Sequence, residues 1–199
     1  MILVVASNNA HKVEEIKSYL KDYFEDIKSL KEMGISIDIE ETGTTFLENS
    51  LIKARAITSL TGYASIADDS GLCVDKLNGE PGVYSARYAG EPCNDNNNNN
   101  KLLKVLKEKG LENNEDRKAH FTSVVVLNYP DGTYKVGEGK VEGIILHERR
   151  GNGGFGYDPL FLSTELNKTF AEINLSEKNT VSHRARALEN LLKQLWNLL

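Results

Sequence analysis

Residues 2–12 read ILVVASNNAHK, and this stretch decides the class of fold. Its first five residues are apolar and mostly β-branched, which is typical of a buried strand, and a polar segment at 7–12 follows at once. Apolar side chains then recur close to helical spacing, at Val13, Ile16, Tyr19, Leu20 and Tyr23. The pattern predicts a strand, a polar turn and a helix.

The next part of the chain continues this alternation. Thr45 followed by Glu48 is a capping-box pattern, which predicts the start of a second helix. Residues 63–67 and 72–77 are predicted strands on either side of a tight turn at 68–71. Two carboxylates are therefore expected at the carboxyl end of a strand.

The second half of the chain begins with a run of five asparagines at 96–100, which we interpret as a solvated entry to a helix with no assigned function. Residues 120–128 and 134–146 are predicted to form an antiparallel hairpin. Apolar side chains at helical spacing over 181–199 predict a terminal helix with Ser182 as its N-cap. This order of elements predicts an α/β fold with a mixed sheet and flanking helices.

Composition limits the classes of function. The chain has 199 residues, 40% of them apolar, and its 24 basic and 29 acidic side chains give a net charge of −5. One domain of residues 1–199 is expected at this length, with room for two lobes around a cleft. The acidic balance argues against sequence-independent binding of nucleic acid, because that binding depends on phosphates neutralised by basic side chains.

Two further features concern the compartment. Cys73 and Cys93 are too few for a disulfide framework, and we interpret them as buried spectator thiols in a reducing compartment. The apolar run after Met1 has only five residues, too few for a signal peptide or a bilayer span. We therefore expect a soluble, cytoplasmic protein with no membrane partner.

Four short polar segments could carry chemistry, and the first is residues 7–12. A polar turn between a strand and a helix offers backbone N–H groups and the positive end of the helix dipole to a phosphate, and Lys12 adds a charge. The alternative is an ordinary cap in which Asn9 caps the helix and Lys12 is solvated. The segment alone favours neither, and the missing GxxxxGK[ST] pattern sets a P-loop enzyme aside.

The second segment is Asp68-Asp69-Ser70-Gly71. With Glu41 from a preceding loop, its carboxylates could bind Mg²⁺, which keeps several waters and takes phosphate oxygens as its other ligands. One carboxylate could also take a proton from an attacking water. In an extended strand Asp68 and Asp69 would point to opposite faces, so only one need face a site. The alternative is an acidic turn, which is common.

The third segment is the glycine-rich stretch at 151–159. It satisfies GxGxxG formally, but that fingerprint should open a helix, whereas here Pro159 and an apolar strand-like run follow. Its glycines would let the backbone approach a ligand, Phe155 and Tyr157 offer faces for a flat heterocycle, and Asp158 can accept hydrogen bonds. We favour this binding role over a plain hairpin loop.

The fourth segment runs from Lys178 to Arg184. Its side chains carry donors that could recognise a purine carbonyl or a phosphate. The alternative is a solvated helix start. A cation at a helix N-terminus is disfavoured by the dipole, which favours a functional role for His183 and Arg184.

Taken together, the segments resemble the ordered motifs of one family, the HAM1-like inosine/xanthosine triphosphate pyrophosphatases. The resemblance covers residues 7–184 and rests on SNNAHK at 7–12, TFLEN at 45–49, ADDSGL at 67–72, PGVYSARY at 81–88, GGFGYDP at 153–159 and SHR at 182–184. One departure is Asn8, where the family's first motif often has Gly; Asn tolerates unusual φ better than most residues.

The resemblance implies a two-lobed α/β fold with an elongated mixed sheet, a nucleotide-binding cleft between the lobes and a homodimer. It implies Mg²⁺-dependent hydrolysis of ITP, dITP or XTP to the monophosphate and pyrophosphate. It places Mg²⁺ on Glu41 and Asp69, with Asp69 as general base. It places substrate contacts on Ser7, Asn8, Asn9, Ala10, His11, Lys12, Ser70, Phe155, Gly156, Tyr157, Asp158, Lys178, His183 and Arg184, with supporting roles for Lys53 and Asp68.

Two alternatives stay open on sequence grounds. One is a non-catalytic nucleotide sensor, which would bind ITP tightly without releasing phosphate and would leave Glu41, Asp68 and Asp69 without a task. The other is a Mg²⁺-dependent phosphatase that releases orthophosphate. The phosphate product distinguishes both from a pyrophosphatase.

Overall fold

The computed structural model describes residues 2–196, and its strands form one seven-stranded mixed sheet in the order β2-β1-β3-β4-β5-β6-β7. Strand β1 pairs in parallel with β2 and with β3, whereas β6 pairs antiparallel with β5 and with β7. The strands are β1 (Ile2–Val5), β2 (Asp26–Ser29), β3 (Ala64–Val74), β4 (Lys118–Asn128), β5 (Tyr134–Ile145), β6 (Phe161–Ser163) and β7 (Lys168–Thr169). The predicted α/β class and mixed sheet are confirmed.

The helices begin where the sequence predicts a cap. Asn9 caps α1, the Thr45 and Glu48 pair forms a complete capping box before α2, and Ser182 Oγ accepts a hydrogen bond from the N–H of Ala185 in α5. The α-helices are α1 (Ala10–Leu20), α2 (Phe46–Thr61), α3 (Asp95–Glu108), α4 (Leu175–Val181) and α5 (His183–Trp196). Leu199, at the end of the predicted apolar stripe, lies outside the described residues.

The predicted hairpin is also confirmed. Strands β4 and β5 are neighbours in the sheet, and the N–H of Tyr129 donates to the carbonyl of Thr133 across the turn that joins them. A strand, β6, follows the glycine-rich segment, so the dinucleotide-binding reading of GxGxxG is excluded as the sequence indicated.

The chain divides into two compact units. Of the described residues, the first unit holds 2–69, 123–139 and 182–196, and the second holds 70–122 and 140–181. In the first unit two apolar clusters pack on opposite faces of the sheet. Leu3, Val5, Ala64 and Ile66 pack with side chains of α1 and α5, whereas the alternate residues Val4, Ala6 and Ala67 pack with side chains of α2.

Strand β3 corrects one expectation. The predicted turn at 68–71 is wrong, because β3 runs without interruption through Asp68, Asp69 and Gly71. Polar and glycine residues are typical of turns, but here the polar groups are buried and paired with other elements. The strand ends at Val74, and a short 3₁₀ helix at Asp75–Leu77 replaces the rest of the predicted second strand. The two carboxylates therefore lie within a strand.

The second unit is built around a cluster of three phenylalanines. Phe121, Phe161 and Phe170 have ring centroids 4.6 to 6.1 Å apart. The asparagine run lies within α3, and Asn98 and Asn99 are buried, so the solvated interpretation is wrong for these two.

Two further expectations concern compartment and membrane. Cys73 is half-buried and Cys93 is exposed, so the expectation of two buried thiols is wrong. None of the helices between residues 2 and 196 has the length and hydrophobicity needed to span a bilayer.

Gly71→Ala tests the continuity of β3. A Cβ at position 71 would lie 2.2 Å from the carbonyl oxygen of Gly82 and 2.6 Å from Ser85 Oγ. Because Ser85 Oγ also accepts a hydrogen bond from the N–H of Leu72, Ser85 cannot move away without losing that bond. We expect the free energy of unfolding to fall by about 2 kcal/mol in urea titrations. An unchanged urea midpoint would contradict the close approach of β3 to Gly82 and Ser85 at Gly71.

Candidate active site

The polar turn at 7–12 joins β1 to α1 and leaves most of its residues exposed. Asn9 Oδ1 accepts hydrogen bonds from the N–H groups of His11 and Lys12, at 3.0 and 3.2 Å, so its capping role is confirmed. Ser7 Oγ accepts from the N–H of Asn9, and Asn8 Nδ2 donates to the carbonyl of Ile37 at 2.8 Å. The turn is thus held in one conformation by its own side chains and by one distant carbonyl.

Asp68 is the centre of a buried ion network in the first unit. Its Oδ2 accepts from Arg184 Nε and Nη2, at 3.0 and 2.9 Å, and Lys12 Nζ lies 3.5 Å from the same oxygen. Arg184 Nη1 also donates to Glu15. Glu15, Asp68 and Arg184 are each at most 4% exposed. The network fixes Lys12 beside the polar turn, because its ammonium has a buried partner.

The electrostatics of this network follow from burial and pairing. Burial alone would raise the pKa of Asp68, but Arg184, Lys12 and Lys53 bring the pKa of this carboxyl below its ordinary value. Burial would lower the pKa of Arg184, but Asp68 and Glu15 raise it above its ordinary value. Burial lowers the pKa of Lys12, with Asp68 opposing the shift. Asp68 and Arg184 are therefore a structural ion pair.

Asp69 lies in different surroundings, on the α2 face of the sheet. Its Oδ2 accepts from Asn49 Nδ2 at 3.0 Å, and its Oδ1 lies 4.0 Å from Lys53 Nζ. Burial raises the pKa of the Asp69 carboxyl above its ordinary value, while Lys53 and Lys12 oppose the shift. Compared with its neighbour in the strand, Asp69 holds a proton more readily.

Asn49 connects Asp69 to the loop that carries Glu41. While its Nδ2 donates to Asp69, its Oδ1 accepts from the N–H of Gly43 at 2.8 Å. A Cβ at position 43 would lie 2.6 Å from that Oδ1, so the loop approaches α2 as closely as glycine permits. The fully buried Asn49 therefore ties both carboxylate-bearing segments together.

Glu41 and Asp69 converge on one cation, the ammonium of Lys53. Lys53 Nζ lies 2.5 Å from Glu41 Oε1 and 4.0 Å from Asp69 Oδ1. Two carboxylates around one positive charge fit Mg²⁺, whose other ligands are commonly water and phosphate oxygens. Between residues 2 and 196 there is no group of three or more His, Cys, Asp or Glu side chains arranged to hold a metal ion. Water and phosphate oxygens would therefore have to supply the other ligands of a Mg²⁺ ion at this position.

The second unit holds another group of predicted site residues. Lys178 Nζ donates to Asp158 Oδ2 at 2.8 Å and lies 4.6 Å from the centroid of the Phe155 ring. Asp158 Oδ2 also accepts the N–H of Phe155 at 2.9 Å. Gly154, with φ +71°, allows this geometry, because a Cβ there would overlap the Asp158 carboxylate. The structure thus brings Phe155, Asp158 and Lys178 together.

Tyr157 differs from the expectation that it offers a ring face. Its ring is 4% exposed and packs in the apolar core of the second unit, and its hydroxyl donates to the carbonyl of Ser85. Burial raises the pKa of this hydroxyl above its ordinary value. The side chain supports the segment from within, whereas the half-buried Phe155 keeps part of its ring accessible.

The remaining predicted residues divide between the units. Ser70 is half-buried in β3 and belongs to the second unit, whereas His183 is buried at the start of α5 in the first. Arg184, which we expected with the base-binding residues, contacts Asp68 and Glu15 in the first unit. Sequence reasoning missed Glu15 and Asn49 as site residues. Asn49 ends the TFLEN motif, which is the signal that could have identified it.

Comparison with known proteins decides the family. The model of the Ham1 family matches residues 3–194. The chain belongs to the Ham1 family.

Relatives of this Ham1-family chain are similar over almost their whole length. A protein of Clostridium perfringens named dITP/XTP pyrophosphatase is 52% identical, with 98% of each chain covered. One of Bacillus subtilis with the same name is 48% identical, with 96% of each chain covered. The Staphylococcus aureus Ham1 protein matches with a TM-score of 0.85 at 41% identity over 100% of both chains, and a HAM1 protein from Coxiella burnetii with 0.86 at 41% over 99%.

Arg184→Met tests the buried network. Removing the guanidinium leaves Asp68 and Glu15 as buried charges without this partner, so we expect the free energy of unfolding to fall by about 3–5 kcal/mol near neutral pH.

The pH dependence of that loss has a definite sign. In the parent protein the lowered pKa of Asp68 gives stability that is present above the unfolded pKa, about 4, and is lost as pH falls through the folded value. Without Arg184, only Lys12 and Lys53 oppose the effect of burial, so the pKa of Asp68 in the folded variant should lie above its value in the folded parent, and acid should restore part of the lost stability. Urea midpoints near pH 7 and pH 5 should show the difference shrinking on acidification; a difference that grows would contradict the assignment.

Proposed function

We propose that this Ham1-family chain is a nucleoside-triphosphate pyrophosphohydrolase, which converts ITP, dITP or XTP to the monophosphate and pyrophosphate. The observation that carries the proposal is the convergence of Glu41 and Asp69 on one cation position. The names of the relatives in Clostridium perfringens and Bacillus subtilis, both dITP/XTP pyrophosphatases, support the substrate class.

Glu41 and Asp69 would hold Mg²⁺, and Lys53 marks where a positive charge is stabilised between them. When bound, Mg²⁺ supplies charge neutralisation for the triphosphate and polarises the attacked phosphorus. Lys53 would then be available to a phosphate oxygen. This is consistent with its supporting role in the family.

Asp69 is the group proposed to take a proton from the attacking water. Asn49 occupies its Oδ2, which orients the carboxylate and leaves Oδ1 toward the Lys53 ammonium. Lys12, held by Asp68 beside the polar turn at 7–12, would bind the charge that develops on the leaving pyrophosphate. No covalent intermediate is needed.

The proposed base-binding residues are Phe155, Gly156, Asp158 and Lys178. Lys178 carries donors beside the Phe155 ring, and Asp158 is an acceptor next to them. A 6-oxo purine would accept a hydrogen bond from such a donor. Adenine presents an amino group at that position and would leave buried donors unpaired, which discriminates strongly.

Cytoplasmic location and a homodimer remain proposals that rest on the family resemblance. Light scattering on a size-exclusion column tests the second: a mass twice that of the 22.1 kDa chain supports a dimer, and the mass of one chain overturns it.

The product of the reaction tests the proposed function. The full chain is incubated with Mg²⁺ and a panel of ITP, dITP, XTP, ATP and GTP, and pyrophosphate and orthophosphate are measured separately. We expect pyrophosphate, mainly from the first three nucleotides. Orthophosphate as the first product would indicate a phosphatase, and binding without any release would indicate a sensor. Either result overturns the proposal.

Phe155→Ala tests the base site. Loss of a ring that stacks on a purine costs about 1–3 kcal/mol, so KM for dITP should rise about tenfold with little change in kcat. Tyr63→Ala removes an exposed ring of the first unit and serves as the control. An unchanged KM for dITP would remove Phe155 from the base site.

A further inference from the structure

Two side chains of helix α3 form hydrogen bonds with the backbone of Gly156 in the glycine-rich segment. Asp95 Oδ2 accepts the N–H of Gly156 at 2.7 Å, and Asn99 Nδ2 donates to its carbonyl at 2.8 Å. Asp95 and Asn99 are four residues apart, so they lie on one face of the helix. Both hydrogen-bonding groups of one backbone residue are therefore held by two neighbouring side chains.

Gly156 is the residue of the segment whose backbone these two hydrogen bonds restrict. It lies between Phe155 and Tyr157 with φ +60°, and apart from these two neighbours no residue has a heavy atom within 4 Å of where a Cβ would be. Glycine has more backbone freedom than any other residue, and its surroundings do not restrict it sterically. The two hydrogen bonds from α3 therefore fix the peptide planes on both sides of Gly156, and with them the direction of Phe155.

The other side of the segment is fixed by contacts of its own. Asp158 accepts from Phe155 N and from Lys178, and the Tyr157 hydroxyl donates to the carbonyl of Ser85. The N–H of Asp158 also donates to the carbonyl of Phe155, at 3.2 Å, whereas the N–H and carbonyl of Gly156 itself pair with Asp95 and Asn99 of α3. The hydrogen bonds from α3 and those of Asp158 together fix the backbone conformation around Phe155, the ring proposed to contact the base.

The Asn99 side chain makes its hydrogen bonds through the amide nitrogen. Its Nδ2 donates to two carbonyls, those of Asp95 and Gly156, whereas its Oδ1 is buried and has no hydrogen-bond partner among the described residues. An unpaired buried oxygen destabilises the fold, so an apolar side chain would serve packing better at this position. The side chain keeps its amide at that cost.

We propose that Asp95 and Asn99 are positioning residues for base recognition, which hold Phe155 in place through the two hydrogen bonds to Gly156. This inference rests on the proposed function, in which the 155–158 segment contacts the purine. It assigns a role to one residue of the asparagine run, Asn99.

Isosteric substitutions test the donor. Asn99→Asp keeps the shape but cannot donate to Gly156, and Asn99→Leu removes both polar atoms. Asn97→Ala, at an exposed position of the same run, is the control. We expect both Asn99 variants to raise KM for dITP about fivefold to tenfold, with kcat within about twofold, and the control to keep the parent KM.

Stability separates positioning from a purely structural role. Because Asn99→Leu removes the unpaired oxygen together with the donor to Gly156, the two effects oppose each other, and its thermal midpoint should stay close to that of the parent while KM for dITP rises. Asp95→Asn retains an acceptor for the Gly156 N–H and should give a smaller rise in KM than Asp95→Ala. A fall in kcat that tracks the loss of thermal midpoint would overturn the proposal.

The result also distinguishes this inference from the proposed function. If Phe155→Ala raises KM for dITP and neither Asn99 variant does, the positioning role is wrong and the base site stands. If Phe155→Ala also leaves KM unchanged, the base site itself is wrong, and the positioning role fails with it.

Discussion

The alternation of side chains along β3 is the constraint on which the first unit depends. Because neighbours in a strand face opposite sides of the sheet, Asp68 points toward α1 and α5 and Asp69 points toward α2. Asp68 meets Arg184 and Lys12, whereas Asp69 meets Asn49 and Lys53. Two adjacent carboxylates thereby acquire pKa shifts of opposite direction, and the proposed function assigns a structural role to Asp68 and the chemistry to Asp69.

The elements that the sequence predicts well are those with local signals. Asn9, the Thr45 and Glu48 pair and Ser182 cap helices through hydrogen bonds that span at most three residues. The turn at 68–71 was predicted wrongly because its composition is typical of a turn, and the partners that keep it extended lie far away in sequence. Arg184 is 116 residues from Asp68, and no local pattern records such a contact.

In the candidate site, too, residues with a local sequence signal could be predicted, whereas contacts between residues distant in sequence could not. The resemblance supplied Glu41, Asp69 and the 155–158 segment, and motif patterns can identify such residues because they recur in order along the chain. The contacts by which other side chains orient them are not visible in such patterns, even where the residue itself belongs to a motif, as Asn49 does. Asn49 links Asp69 to the Glu41 loop, and Asn99 holds Gly156 from 57 residues away. Their roles exist only as contacts, and in the sequence Asn99 is one asparagine in a run of five.

The most direct measurement compares Asp68→Asn with Asp69→Asn, recording the free energy of unfolding and kcat for dITP in both. The division of roles predicts that Asp68→Asn loses about 3 kcal/mol of stability, because Arg184 loses a buried partner. Asp69→Asn should keep stability within about 1 kcal/mol and lose kcat by about 100-fold or more, because the proton acceptor is gone. An Asp68→Asn protein as stable as the parent, or an Asp69→Asn protein with near-normal kcat, would contradict this division of roles between the two carboxylates.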